Sequence, residues 1–140
     1  MGLTGTHLFT VDALLGEVVD VGVTPTGHRR VIPVVGGTVS GALEGEVLPG
    51  GADWNLERPD GSAELWARYE LRTSDGAVVS VLNTAVHPPR PAMPILTSPT
   101  FDVGDDGPVW LRTGVHVGAL DLAADGRAVR IRVFRVAVSD

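Results

Sequence analysis

Short segments in which apolar and polar residues alternate run along most of this chain. Period-two alternation of this kind is the pattern of β-strands that bury one face. Turn-forming pairs such as Asp60-Gly61, Asp75-Gly76 and Asp125-Gly126 separate the segments. No segment has the pattern of a long helix. The predicted strands lie near Leu8–Leu14, Glu17–Val23, His28–Val35, Thr38–Leu48, Ala63–Arg72, Ala77–Ala85, Val109–Val117 and Ala128–Val138.

This succession of short strands and tight turns predicts an all-β protein with a single domain over residues 1–140. Antiparallel strands in this number form either a two-sheet sandwich or a closed barrel. We predict a single closed antiparallel β-barrel of about eight strands, because closure removes exposed sheet edges. A barrel of that size has room inside for side chains or for one small ligand.

One segment does not fit the strand pattern. Val86–Thr100, with the sequence VHPPRPAMPILTSPT, contains five prolines. Because proline cannot donate a hydrogen bond to a neighbouring strand, we expect no central strand here. We interpret the segment as a Pro-rich arm or flap over one end of the barrel. A surface loop with a rigid path is the alternative.

Alternation also assigns side chains to the two faces of each strand. It places Leu65 and Tyr69 inside the barrel, and Trp66 and Arg68 outside. A one-residue slip would invert these faces. Two surfaces are therefore candidates for function. The first is the apolar interior, with Tyr69 and Asn83 as polar groups and with free volume beside the small residues of Val39–Val47, which include Leu43 and Gly45. The second is an outer face that carries Trp66, Arg68, Trp110, Arg112 and His116.

Composition narrows the classes of partner. The formal net charge is −6 and the pI is about 5.1, which argues against nucleic acid or an anionic membrane as a partner. The chain has no cysteine, so disulfides, thiolate metal ligands and a cysteine nucleophile are excluded. The N-terminal residues lack a charged leader and an apolar signal core, and no apolar run approaches the roughly 20 residues of a membrane helix. We expect a cytoplasmic protein.

Asp53 and Trp54 follow a Pro-Gly-Gly turn, which can present their side chains at a strand end. Asp53 is a candidate general base or hydrogen-bond anchor at the barrel mouth, with Trp54 as an apolar wall. Alternatively, Asp53 bonds backbone N–H groups of the turn and Trp54 plugs the barrel end.

Arg68 and Tyr69 are the next candidates. Arg68 can pair with an anionic ligand group or with Asp53, while Tyr69 donates to a carbonyl. Alternatively, Arg68 makes a structural ion pair and Tyr69 belongs to the core. His116 is the best single acid–base histidine, although a plain surface histidine is the alternative. The four histidines lack the spacing of a metal site, and we expect neither metal nor cofactor.

Several motifs together resemble a known family. They are the glycine-rich stretch 36–76, Gly27-His28-Arg29-Arg30, Leu71-Arg72-Thr73-Ser74-Asp75-Gly76, Asn83, Pro99-Thr100-Phe101, Trp110-Leu111, Val117-Gly118 and Ile131-Arg132-Val133-Phe134. On these residues the chain resembles the domain of unknown function 3237 family, of the UPF0311 type. The resemblance implies a barrel similar to that of allene oxide cyclase and related in shape to lipocalins. It also implies a central cavity for a small apolar molecule and raises isomerisation or cyclisation without a cofactor.

The sequence thus yields two hypotheses of function. In the first, the barrel binds a small, partly apolar organic molecule and acts on it without a cofactor, with Asp53, Arg68 and Tyr69 as catalytic residues. The ligand would contact Trp54, Asn83, Gly45, Leu43, Trp110 and His116. In the second, the protein is a non-catalytic binding or carrier protein. Tryptophans on an outer face also lead us to expect a homodimer or a larger homo-oligomer.

Overall fold

A computed structural model describes residues 1–140 and shows an all-β protein, which confirms the predicted fold class. It has ten strands and one turn of 3₁₀ helix at Val109–Leu111. None of its elements is a helix long and apolar enough to cross a membrane. The strands are β1 (Gly2–Leu15), β2 (Val19–Thr24), β3 (Gly27–Gly41), β4 (Gly45–Val47), β5 (Gly51–Glu57), β6 (Ala63–Thr73), β7 (Val78–His87), β8 (Ile95–Val103), β9 (Val115–Leu122) and β10 (Ala128–Ser139).

The sheet closes on itself because β1 pairs with both β10 and β3. From β1 the strands follow in the order β10, β9, β8, β7 and β6, and every pair is antiparallel. Between β6 and β3, β5 fills one end of the gap and β4 fills the other. β2 forms a hairpin with β3 outside this ring. The predicted closed barrel of eight strands is therefore confirmed, with two extra short strands.

Glycines allow strands to approach closely at two points of this wall. A Cβ atom on Gly37 of β3 would lie 2.0 Å from the carbonyl oxygen of Asp12 on β1. A Cβ atom on Gly45 of β4 would lie 2.0 Å from the carbonyl oxygen of Arg72 on β6. Both glycines are therefore backbone requirements. The interpretation of Gly45 as a source of free interior volume is wrong.

The core lies inside the ring of strands. Its most deeply buried side chains include Phe9, Val11, Leu71 and Val79. Tyr69 is also buried, as alternation along β6 predicts, whereas Arg68 and Trp66 are exposed. Successive side chains of β6 therefore lie on opposite sides of the sheet, and the predicted faces of β6 are confirmed.

Two predicted strands have different limits in the structure. The segment Thr38–Leu48 breaks at a turn after Gly41, because the chain there leaves β3 and returns as β4. Val109–Val117 is wrong as a strand: it begins as 3₁₀ helix, and β9 starts only at Val115. From the start of β9 the faces are the reverse of the predicted ones, since His116, which was predicted to face outward, is buried and Val115 is exposed.

Two strands were missed. β5 has the sequence GADWNLE, in which glycine and polar residues hide the alternation. β8 lies in the Pro-rich segment and pairs with both β7 and β9, so the expectation of no central strand there is wrong. Its pairing with β9 covers only Ile95–Thr97, so Pro99 lies beyond the end of that ladder. Only residues 88–94 remain as an irregular arm between β7 and β8.

Candidate functional site

A cavity of about 160 Å³ lies inside one end of the barrel. Thirteen of its fifteen lining residues are hydrophobic, Tyr69 included, and the lining residues that carry polar side-chain groups are Asp53, Asn83 and Tyr69. Because a few polar groups in an apolar cavity are the usual composition of a small-molecule site, this cavity is the candidate functional site. The other lining residues are Ala13, Leu15, Ile32, Val34, Leu65, Ala67, Met93, Ile95, Leu120, Leu122, Val129 and Ile131.

Three neighbouring strands position the polar groups. Asp53 of β5 pairs with Ala67 of β6, and Ala67 pairs in turn with Asn83 of β7. The α-carbons of Asp53 and Asn83 are thus about two strand spacings, or about 10 Å, apart. The small side chain of Ala67 leaves the space between them open. Tyr69 lies two residues further along β6, on the same face as Ala67.

The carboxylate of Asp53 is held in place by two donors. Its Oδ1 accepts a hydrogen bond from the backbone N–H of Trp66 at 2.9 Å, and its Oδ2 accepts one from Nδ2 of Asn55 at 3.3 Å. No basic side chain lines the cavity. Burial raises the pKa of Asp53 above its usual value and outweighs the two hydrogen bonds and the charges of His87 and Arg29, which lower it. The bonded N–H belongs to β6 and not to the turn before β5, so Asp53 is a cross-strand anchor as well as a cavity group.

Asn83 and Tyr69 complete the polar set. Asn83 is 1% exposed, and its side-chain oxygen Oδ1 has no hydrogen-bond partner. Buried polar atoms are nearly always paired, so an orphan acceptor beside a cavity indicates a place for a ligand group or an ordered water. Burial raises the pKa of the Tyr69 hydroxyl, which therefore keeps its proton and remains a donor.

Arg68 and Trp54 do not belong to this cavity. Arg68 lies between the inward-facing Ala67 and Tyr69 on β6, so alternation turns its side chain outward. Trp54 follows Asp53 on β5 and lies on the outer surface, where its ring packs edge-on against Trp66 at a centroid distance of 5.8 Å. The expected polar site of Asp53, Arg68 and Tyr69 is thus wrong for Arg68, and Asn83 takes its place.

Leu43, Gly45 and Trp110 also lie away from the cavity. Leu43 is buried in the part of the core that contains Val47 and Leu71, and Gly45 contacts the β6 backbone. Trp110 belongs to the 3₁₀ turn and is 37% exposed beside a surface groove. The prediction that these three contact the ligand depends on unbroken strands at Thr38–Leu48 and Val109–Val117, which the structure does not have.

His116 is buried, but at the opposite end of the barrel. Its ring packs edge-on against Phe101 at a centroid distance of 5.3 Å, and its Nε2 lies 3.3 Å from Nη2 of Arg135. Burial and the charge of Arg135 both lower the pKa of His116, so the neutral form is favoured. The expectation of a histidine on an outer face is wrong because β9 begins later than predicted.

Sequence reasoning missed two features of the cavity. The first is Ala67, the small residue that separates Asp53 from Asn83. Its position in the centre of an inward face, between Leu65 and Tyr69, was the available signal. The second is Met93, which comes from the irregular arm and lines the cavity while 48% of its surface remains exposed. No group of three or more His, Asp or Glu side chains is arranged to hold a metal ion.

Comparison with known families agrees with this architecture. The family model described as "Protein of unknown function (DUF3237)" matches residues 3–136. The chain belongs to this family. A UPF0311 protein of Bradyrhizobium diazoefficiens is 37% identical over 134 residues, which cover 85% of this chain and 88% of that protein.

Solved structures share the barrel along nearly its whole length. A conserved protein of unknown function from Rhodopseudomonas palustris superposes with a TM-score of 0.87 at 35% identity, over 98% of this chain and 99% of that one. A beta-barrel like protein from Acinetobacter baumannii gives a TM-score of 0.86 at 25% identity, over 98% of each chain. An enzyme from Penicillium herquei gives 0.77 at 20% identity, over 96% of each chain, and this last likeness shows the fold alone.

Proposed function

We propose that the barrel binds a small, partly apolar organic molecule in the cavity and acts on it by proton transfer, without a cofactor. The observation that carries this proposal is the convergence of Asp53, Tyr69 and Asn83 in an otherwise apolar cavity. Pockets that combine apolar walls with a few convergent polar groups and a perturbed carboxyl group are typical of binding and catalytic sites.

The size of the cavity limits the ligand. An engineered apolar protein cavity of about 150 Å³ holds one benzene molecule. The cavity here, at about 160 Å³, is suited to a molecule with one ring. Outward movement of Met93 on the irregular arm would admit a larger one. Burial of the ring against the apolar walls would supply affinity at about 25 cal/mol per Å².

The chemistry assigned to the cavity is redox-neutral. Asp53 accepts a proton from a carbon next to a carbonyl group and returns it to another atom of the same molecule, which gives an isomer or a closed ring. Its raised pKa brings the carboxylate closer to neutral pH, where a general base is most effective. The Tyr69 hydroxyl donates a hydrogen bond to the carbonyl oxygen, on which negative charge develops.

The barrel shape supports this proposal only as an analogy. The enzyme from Penicillium herquei shows that the same fold can carry catalysis, but a shared fold does not transfer an activity. A non-catalytic carrier remains the second candidate, because the orphan oxygen of Asn83 would serve equally well to hold a ligand in place.

Hydrogen–deuterium exchange separates the two candidates without knowledge of the natural ligand. Cyclohexanone is incubated with the protein in deuterated buffer at neutral pH, and exchange next to its carbonyl group is followed by NMR. We expect exchange above the buffer rate with the wild type and not with Asp53→Asn. Binding of the ketone with no exchange above that of Asp53→Asn would favour the carrier.

We also propose that the protein forms a homodimer or a larger homo-oligomer. Trp54 and Trp66 are 39% and 41% exposed and form a joined aromatic patch on the outer wall, which supports a contact surface there. Analytical ultracentrifugation at micromolar concentration tests the proposal. A mass of 14.6 kDa, that of one chain, would contradict it.

A further inference from the structure

We propose that the ligand is an uncharged one-ring molecule that donates a hydrogen bond, from a hydroxyl or an N–H group, to Oδ1 of Asn83. This inference rests on the proposed function and names the chemical class of ligand that the cavity selects. It makes Asn83 the residue that determines specificity.

The acceptor of Asn83 cannot be satisfied by its neighbours in the sheet. Asn83 pairs with Ala67 of β6 on one side and with Pro99 of β8 on the other. Neither neighbour has a polar side chain, and proline has no backbone N–H. Thr97 on β8 is also buried, but its hydroxyl has no partner either, so it is not bonded to Asn83. The Tyr69 hydroxyl lines the same cavity and does not bond Oδ1 either, so the open space of the cavity is where a donor can reach this atom.

The residues that line the cavity disfavour anionic ligands. Its fifteen lining residues include no lysine, arginine or histidine. The only ionisable groups in the lining are the acids Asp53 and Tyr69. A carboxylate or phosphate would thus lose its water next to a like charge and gain no cation in return. A neutral hydrogen-bond donor loses less hydration free energy on entering the cavity and forms a hydrogen bond to the unpaired Oδ1 of Asn83.

Three probes of similar size separate these effects. Phenol and toluene differ in a hydroxyl against a methyl group, and benzoate adds a negative charge. Binding to the full chain at pH 7 is measured by isothermal titration calorimetry. We expect phenol to bind at least tenfold more tightly than toluene, and benzoate to show no binding. Phenol should also shift the side-chain amide resonances of Asn83 in ¹⁵N NMR spectra.

Variants of the chain assign the effect to Asn83. Asn83→Leu keeps the branched shape and the number of heavy atoms without the acceptor, and should bind toluene at least as tightly as phenol. Thr97→Val is the control. It removes the Thr97 hydroxyl, which is also buried and unpaired but does not line the cavity, and the variant should keep the preference for phenol. If Asn83→Leu does not fold, Asn83→Val, which also lacks an acceptor, and the wild-type amide shifts provide the same test.

The outcomes distinguish this inference from the proposed function. Equal binding of toluene and phenol by the wild type, or an unchanged preference in Asn83→Leu, would overturn the ligand class and leave the cavity as a binding site. Binding of benzoate in the cavity would do the same. Failure of both phenol and toluene to bind, or binding that persists when Ala13→Leu fills the cavity, would overturn both proposals.

Discussion

The two ends of the barrel are built from the same strands but are filled differently. At one end Phe9 and Leu111 belong to the hydrophobic core, the ring of Phe101 packs against Phe9, and His116 packs against Phe101. At the other end the same strands contribute Ala13 and other smaller or aliphatic residues, and a cavity of about 160 Å³ remains. Closure of the sheet alone therefore does not create a binding site. The size of the inward side chains decides which end is solid and which is open.

Each end also holds a titratable side chain whose pKa is shifted by burial, His116 at the solid end and Asp53, beside Tyr69, at the open end. The pKa of His116 is lowered by burial and by Arg135, whereas the pKa of Asp53 is raised by burial. Both shifts favour the neutral form, because burial penalises charge. The surroundings of the two differ. Arg135 approaches the His116 ring, while Asp53 faces a cavity without any cation.

The largest effect is expected from truncation at the solid end. Phe9→Ala should lower the free energy of unfolding by about 3–5 kcal/mol, because Phe9 is fully buried and the site cannot collapse around the gap. Met93→Ala at the open end should cost less than about 1 kcal/mol, since Met93 is half exposed. Urea denaturation followed by circular dichroism measures both. Equal costs would show that the two ends do not differ in packing.

Filling the cavity should remove binding with little loss of stability. Ala13→Leu adds its bulk to the open end, so we expect phenol affinity to fall at least tenfold and the free energy of unfolding to change by less than about 1 kcal/mol. Ala119→Leu is the control, because Ala119 is buried but does not line the cavity. This control should cost about 1–3 kcal/mol and keep binding. If Ala119→Leu lost phenol binding and Ala13→Leu kept it, the free volume would lie outside the cavity at the open end.

His116 should make the solid end sensitive to acid. Its folded pKa lies below the unfolded value of 6.5, so the unfolded chain binds more protons as the pH falls below that value. The wild type should therefore lose stability below about pH 6.5. His116→Gln keeps a polar group near Arg135, and its free energy of unfolding should fall less than that of the wild type over the same pH range. Parallel curves of unfolding free energy against pH for the two proteins would contradict this account.

Asp53 should have the opposite effect on stability. Its folded pKa lies above the unfolded value of 3.8, so ionisation of Asp53 lowers stability as the pH rises through that range. At pH 7 Asp53→Asn should be as stable as the wild type or more stable, within about 1 kcal/mol. The difference in unfolding free energy between Asp53→Asn and the wild type should vanish below pH 3.8. A variant that is several kcal/mol less stable at pH 7 would make Asp53 chiefly a structural anchor for the Trp66 N–H group.

The barrel could be predicted from the sequence because alternation and tight turns act locally. The inward positions of Leu65, Tyr69 and Leu71 followed from the same rule. The open end could not be located in this way. It depends on which residues of different strands lie side by side, such as Asp53, Ala67 and Asn83, and this register is set by pairings between distant segments. The turn at Ala42–Glu44 and the late start of β9 moved Leu43, Gly45 and His116 out of the predicted site.

The titration of Asp53 tests the central claim most directly, namely that this carboxyl group lines an apolar cavity that accepts a neutral ligand. Its side-chain carboxyl ¹³C resonance can be followed by NMR against pH, with and without saturating phenol. We predict a pKa above 3.8 in the free protein and a further change when phenol replaces water beside the carboxylate. A pKa at or below 3.8 that phenol leaves unchanged would contradict the account.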